Sequence, residues 1–591
     1  MKMRNVLLAA AGIIVIVGAA GIYHSGMSSI TMVGFVLNTF RSRDNPLGTL
    51  ILESRGRTES WKEPAGARIA DDLTGWPSFN RTLTSERFAP IDQINVNNVH
   101  SLKVVCTFDT HLRENYESGP LVVNGALIFT TAFDVYSLDP STCKLNWQAH
   151  EDTKPVTPNL VNRGAAYLDG RIYRGTLDGR VIAYDIGTGK RSWATSIADP
   201  AREVVDAALI AWNGLVFAGV AQGDTKGVRG RMYALDASDG HIVWETLLIP
   251  PAPGDAARGP QGVMPAMQMA SWHNLPGVPI SGGGTWTSYT LDADAGELYI
   301  PVGNSAPDFV EHLRPGSDLF SNSVLILDAK TGNYASHYQV IPRDWHDWDV
   351  SNTPSLFTTR SGRKVMALAP KDGYLYVYDR DTRQRLFRSP ATRIENHDLP
   401  LNTVTETRFC PGAVGGAEWN GVAYHPPTNL IFTGEDDWCT AVKLKSDADV
   451  KATPDGDYWM GANTASPLEV MGTQDPHSTW AGWLYATDAD TGEWKWRLKS
   501  NYPILSGVTP TAGGLVFFGD MGGNLYAADA ASGKPLWKNR MAGAIGGGII
   551  TYVAGGSQKI AVAGGTSSIV WPTEQTTAKI VIFGLPDAAS N

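Results

Sequence analysis

The stretch Trp345-His346-Asp347-Trp348-Asp349 concentrates groups that could do chemistry. A carboxylate held against a substrate can take a hydroxyl proton as a general base. A lone aspartate is ordinarily a solvated loop residue. Asp347 instead sits among two tryptophans and a histidine, and loops at the mouth of a rigid scaffold commonly carry function. His346 could also accept a proton, although a histidine so placed is more often packed or at the surface. Trp286, in Gly284-Thr285-Trp286-Thr287, is a second candidate because it lies outside the position that a repeat gives to five other tryptophans. The four cysteines, Cys106, Cys143, Cys410 and Cys439, form no C-x-x-C-H and no zinc-type spacing, so they encode neither a covalent haem nor a zinc site.

The elements that must position these residues show as a repeat, an Asp followed eight residues later by a Trp. The copies are Asp139/Trp147, Asp185/Trp193, Asp236/Trp244, Asp488/Trp496 and Asp529/Trp537, with weaker ones at Asp328 and Asp379. Short alternating strands precede most copies, as at residues 179–184, 231–235, 375–378 and 524–528, and Asp169-Gly170, Asn213-Gly214 and Gly513-Gly514 mark tight hairpins. The repeat aspartates are turn residues. The repeat tryptophans pack, each stapling its sheet to the next. A spacing of roughly 40–50 residues with four short strands is the pattern of propeller blades. Seven copies are visible, and the gap from Asp379 to Asp488 has room for another. The expectation is an all-β, eight-bladed β-propeller over residues 71–591. The strand at 579–583 closes the ring by pairing with the first blade, which removes the exposed edges.

Lys2 and Arg4 precede an apolar run over residues 6–23, the pattern of a secretory signal or an uncleaved anchor. Residues 1–26 are therefore assigned to a signal peptide or membrane anchor and 27–70 to a linker. The expected location is periplasmic, with anchoring to the inner membrane as one option. Four cysteines after an export signal suggest two disulfides. Three pairings are possible, and nearness in sequence favours Cys106–Cys143 and Cys410–Cys439. A net charge of -10 with no basic stripe argues against nucleic acid as a partner and suits a basic protein partner.

The segment GWPSFNRTLTSERFAPIDQINVNNVHSLK at 75–103 resembles the entry segment of the quinoprotein alcohol dehydrogenase family. So do VNRGAAYLDGRIYRGTLDGRVIAYD, GGTWTSYTLD, YIPVGN, HYQVIPRDWHDWDV, APKDGYLYVYDRDT and CPGAVGGAEWNGVAYHP, in that order along roughly residues 71–585. The resemblance implies a pyrroloquinoline quinone (PQQ) at the propeller axis with a metal ion beside it. Glu117 resembles the glutamate that touches the quinone, and Arg163 its carboxylate-binding arginine. Trp286 resembles the floor on which the quinone stacks, and Lys371 the cation at its carbonyls. Glu418 lies where the family has a polar cofactor contact. Asn304 resembles a metal ligand, eighteen residues after Trp286 as in the family's pattern. Asp347 resembles the catalytic carboxylate, which also lies near the metal.

Three positions depart from the best-known members. Gln222 stands where their metal-binding glutamate is expected, with Asp224 close by, and Thr157-Pro158 replaces two adjacent cysteines. Asp349, two residues after Asp347, resembles the extra carboxylate of the lanthanide-using type. Ca²⁺ is the expected ion and a lanthanide the alternative, with Asn304, Asp347, Gln222 and Asp349 as candidate ligands.

The implied reaction oxidises an alcohol, or a sugar or polyol, and passes electrons to a cytochrome c or membrane quinone. Two competing readings remain in view. One is a non-catalytic propeller scaffold like those of outer-membrane assembly. The other is a degenerate quinone-binding protein that lost its metal through Gln222.

Overall fold

The computed structural model describes residues 48–60, 74–155, 157, 159–464, 470–568 and 570–586, so the signal or anchor assigned to 1–26 and the apolar run at 6–23 lie outside the described residues. Among the described residues no helix is long and apolar enough to cross a membrane. Eight antiparallel sheets follow one another along the chain, spanning residues 121–150, 166–196, 210–247, 290–339, 355–390, 422–500, 509–540 and 549–584. Each has four strands in meander order, the pattern of propeller blades, and the sixth gains a fifth strand at its edge.

The core is divided among the seams between blades. Leu121, Ile128 and Val135 of the first blade pack on Ile172, Ile182 and Tyr184 of the second, and a corresponding cluster fills every later seam back to the first. Strands buried on both faces explain the continuous apolar runs, and each fully buried side chain contributes about 1.5–3 kcal/mol.

The repeat does what its chemistry predicts. Asp139 accepts bonds from the main-chain N–H groups of Ser141 and Thr142, closing the turn before the outermost strand. In that strand the Trp147 indole N–H donates to the Ile186 carbonyl of the second blade at 2.8 Å. Trp193, Trp244 and Trp496 donate to Ala237, Ala329 and Ala530 in the same way. The ring lies on a glycine of the following blade. Gly189 has φ +68°, and a Cβ there would come within 2.5 Å of the Trp147 ring.

The count of eight holds, but the place expected for the eighth blade and the mode of closure need correction. Among the described residues the gap from 379 to 488 holds no extra blade. One sheet takes its second strand from Leu430–Asp437 and its third from Ala481–Asp488, and the residues between form an insertion. Described residues of this insertion, Trp438, Tyr458 and Met471 among them, line the cavity and form its cap. The eighth blade is instead the last one, which lacks the Asp/Trp repeat and so escaped notice. Its outermost strand, Lys103–Asp109, comes from the N-terminal side of the ring and pairs with Lys579–Gly584. Closure therefore joins 579–584 to a strand that precedes the first blade, not to that blade's own sheet. Leu50–Ser54, assigned to the linker, adds a fifth strand to the sixth blade.

Both favoured disulfides are present, Cys106–Cys143 and Cys410–Cys439.

Candidate active site

Two classes of loop at one end of the ring supply the site. The first enters each blade's innermost strand. Glu117, Asp206, Trp286 and Glu418 each stand four residues before such a strand, at Leu121, Ile210, Thr290 and Val422, and Arg163 stands three before Ala166. The second follows the second strand of a blade and carries Gln222 and Asp224, Asn304, and Lys371. A regular ring thus aims side chains from separate blades at one axis.

They line a cavity of about 420 Å³ shared by Glu117, Arg163, Gln222, Asp224, Trp286, Asn304, Asp349, Lys371 and Glu418. The Arg163 guanidinium lies 4.6 Å from the Trp286 ring and Lys371 Nζ 5.5 Å from it. Arg163 pairs with Glu117 at 2.7 Å and Asp206 at 3.1 Å and donates to the Trp286 carbonyl at 2.9 Å. Its Nε is buried with no hydrogen-bond partner. Trp419, Trp438 and Trp571 add aromatic wall. Burial pushes Glu117 up to about 7 against the pull of Arg163, and Glu418 up to about 8 against that of Lys371. Burial works against the charge on Lys371, but Asp347 and Asp349 outweigh it and hold its pKa well above the usual lysine range.

The Trp345–Asp349 stretch reaches the axis with Asp347 at φ 66°, a conformation uncommon for a residue with a Cβ. Asp347 is 1 % exposed and lies just behind the cavity wall, its carboxylate 3.7 Å from Lys371 Nζ. Asp349 is fully engaged. One oxygen accepts the Asn304 main-chain N–H at 2.9 Å and the other meets Lys371 Nζ at 2.8 Å. His346 is packed, not poised. It stacks on Trp348 at 3.9 Å, and burial lowers its pKa.

Sequence reasoning missed two carboxylates. Asp206 holds one terminal nitrogen of the Arg163 guanidinium while Glu117 holds the other, and its offset of four before a strand was the available signal. Asp308 is 0 % exposed, and ligand oxygens of Asp224, Asp308 and Asp347 all lie within 4.8 Å of one another. Burial raises Asp308 and Asp347 well above the carboxylate range, and repulsion from Asp224 adds to both. Buried Arg314 brings the loops together, donating to the carbonyls of Asp308 at 2.8 Å and Asp344 at 2.6 Å. The cap holds the other side. The Trp459 N–H donates to the Asp224 carbonyl at 2.7 Å, and the Phe309 N–H to the Met460 carbonyl at 3.0 Å. Gln222, at φ 76°, faces the cap's Tyr458 hydroxyl at 3.5 Å, and Thr157 meets the same hydroxyl at 3.3 Å.

The donor set fits the groups the sequence suggested. An aromatic floor between two cations suits a flat tricyclic tricarboxylate. Oxygen-only carboxylates, two of them lacking any hydrogen-bond donor, suit a hard cation.

A sequence profile described as glucose/ethanol/alcohol dehydrogenase, beta-propeller domain, matches residues 76–408. A second, described as outer membrane protein assembly factor BamB, matches residues 481–587, where none of the predicted site residues falls. The chain is 30% identical over 537 residues to the quinohemoprotein alcohol dehydrogenase ADH-IIG of Pseudomonas putida, covering 85% of this chain and 74% of that protein. It is 29% identical over 520 residues to the lanthanide-dependent methanol dehydrogenase of Methylacidiphilum fumariolicum (strain SolV), covering 81% and 82% of the two. A solved europium-containing methanol dehydrogenase matches with a TM-score of 0.76 at 26% identity, over 87% of this chain and 98% of that one.

Proposed function

We infer how this chain works from its kinship: it belongs to the PQQ-dependent alcohol dehydrogenase family and is an oxidoreductase. It oxidises an alcohol to the carbonyl compound, with Asp347 taking the hydroxyl proton. The observation that carries this is the bare Asp347 carboxylate, buried beside Lys371 and accepting no hydrogen bond.

Arg163, Lys371, Glu117 and Glu418 share the cavity with Trp286 and would hold the polar groups of the cofactor, while the indole would offer a flat apolar face. Bound PQQ supplies the electron-poor carbon that accepts hydride. Lys371 sets its positive charge between the cavity and Asp347, which favours negative charge developing there. The cap and its aromatic wall exclude water, which strengthens each of these interactions. Asn304 and the carboxylates around Asp347 offer oxygens to a metal ion, Ca²⁺ or a lanthanide, which would polarise a carbonyl as a Lewis acid.

The substrate is a primary or secondary alcohol rather than a sugar or polyol, because Val414, Val470, Met471, Trp438 and Trp571 give the cavity much apolar lining. The acceptor is a cytochrome c or membrane quinone, and the two disulfides support a periplasmic location.

The test combines the purified protein with PQQ and Ca²⁺ or a lanthanide and follows dye reduction across a panel of alcohols. Asp347→Asn keeps an oxygen donor but loses the base. The expected result is a fall in kcat of about 10²–10⁴-fold with quinone absorbance and bound metal retained. Full turnover in that variant would remove Asp347 from the base role.

A further inference from the structure

We propose that the cation of this site is held by Asp224, Asp308 and Asp347, that Gln222 takes no part, and that the site is built for a trivalent ion. The proposal rests on the metal-assisted reading above and assigns the ligands within it.

The argument starts from unpaired groups. Asp308 and Asp347 are 0 % and 1 % exposed, and none of their four carboxylate oxygens accepts a hydrogen bond. A buried carboxylate left bare is costly, and several together are worse, unless a cation sits among them. Their ligand atoms and that of Asp224 converge within 4.8 Å, close enough to share one ion.

Among the described residues no neighbouring side chain supplies the missing charge. Lys371 is nearest, but it is bound at 2.8 Å to Asp349 and stands 3.7 Å from Asp347. Arg314 spends its charge on Asp318 at 3.2 Å and its other donors on main-chain carbonyls. Three carboxylates without a counter-charge match a trivalent cation; a divalent one would leave a buried negative charge over.

The same geometry explains the departure at Gln222. Its side-chain oxygen faces the Tyr458 hydroxyl of the cap instead of the cluster. The charge absent from that position has moved two residues along, to Asp224, whose carbonyl the cap pins through Trp459. The next cap residue, Met460, pins Phe309 beside Asp308. One three-residue stretch of the cap, 458–460, therefore sets Gln222 aside and fixes the loops of two ligands. The ligand set and the cap come as one device. Asp349 is excluded by its bonds to Asn304 and Lys371.

The test uses the full chain stripped of metal, with Tb³⁺ as the probe and tryptophan-sensitised luminescence as the readout, so turnover is not needed. The wild type is expected to bind one Tb³⁺ per chain, with Ca²⁺ in thousand-fold excess failing to displace it. Asp308→Asn and Asp224→Asn should each weaken Tb³⁺ by about 100-fold or more, and Gln222→Ala should leave it unchanged. Circular dichroism confirms folding of each variant, and the Tb³⁺/Ca²⁺ competition on the wild type stands without any variant. Unchanged binding in both Asp variants, loss of binding in Gln222→Ala, or ready displacement by Ca²⁺ would overturn the ligand assignment or the trivalent preference. A wild type that binds neither ion would instead sink the metal-assisted reading beneath it.

Discussion

At the scale of the residue, the site stores carboxyl groups in a place that disfavours their charge. Glu117 and Glu418 rise from an ordinary 4.5 to about 7 and about 8 on burial. A carboxyl raised on folding binds its proton more tightly in the native state. Its contribution to stability is full below pH 4.5 and is lost as pH rises through the raised value. The protein without cofactor should therefore melt at a higher temperature at pH 5 than at pH 8. Glu418→Gln should flatten the part of that slope between about 4.5 and 8. A melting temperature independent of pH across that window would contradict the placement of these groups. Much of this site was legible because its residues sit in compact motifs on the innermost loops. Arg163, Trp286, Asn304 and Lys371 share a cavity as the resemblance implied. Asp308 was not legible. It lies in the long loop after Val302, with no repeat spacing to mark it, and only the fold brings it to Asp224 and Asp347.

At the scale of the element, the cap is the feature that the sequence pattern disguised. An insertion long enough for a blade fits a repeat by length alone. Its tryptophans do other work. Trp438 and Trp480 join Trp571 and Trp419 in a cluster over the axis, and Trp459 is buried at the seam of the fourth and fifth blades. Cys439 opens the insertion and is tied to Cys410 on the far side of the same sheet's entry. Replacing both by serine should lower stability by about 2–4 kcal/mol and speed amide exchange over 438–480 before the blades respond. Uniform exchange across cap and blades would mean the cap is not a separate unit. The regular elements were legible because the turn aspartate and seam tryptophan each enforce one local geometry. An insertion obeys no such rule.

At the scale of the whole molecule, eight seams are filled by four kinds of joint, one of them the edge-on contact of Trp537 with Phe583 at 5.4 Å where the seventh blade meets the eighth. Trp147 on Gly189, Trp193 on Gly240, Trp244 on Gly332, Phe387 on Gly492 and Trp496 on Gly533 lay an aromatic ring on a glycine. At the seam of the fourth and fifth blades Arg383 takes the glycine's place at φ 62° and donates to the Tyr338 hydroxyl at 3.1 Å. At the closing seam the disulfide takes both places. Cys143 follows Asp139 by four residues, as Gly189 follows Asp185, and Cys106 sits after a bulge in the outermost strand as Trp193 does. Reduction of Cys106–Cys143 should therefore loosen 103–109 and 579–584 selectively, read as faster exchange there and unchanged protection at the aromatic seams.

The substitution of sulfur for indole at that one join has a consequence for when the molecule is finished. The other joints described mature by packing and hydrogen bonding, with no covalent step. The last depends on an electron acceptor outside the protein, so completion of the ring is itself a redox event. A chain held among cellular thiols would keep its blades assembled with the clasp undone.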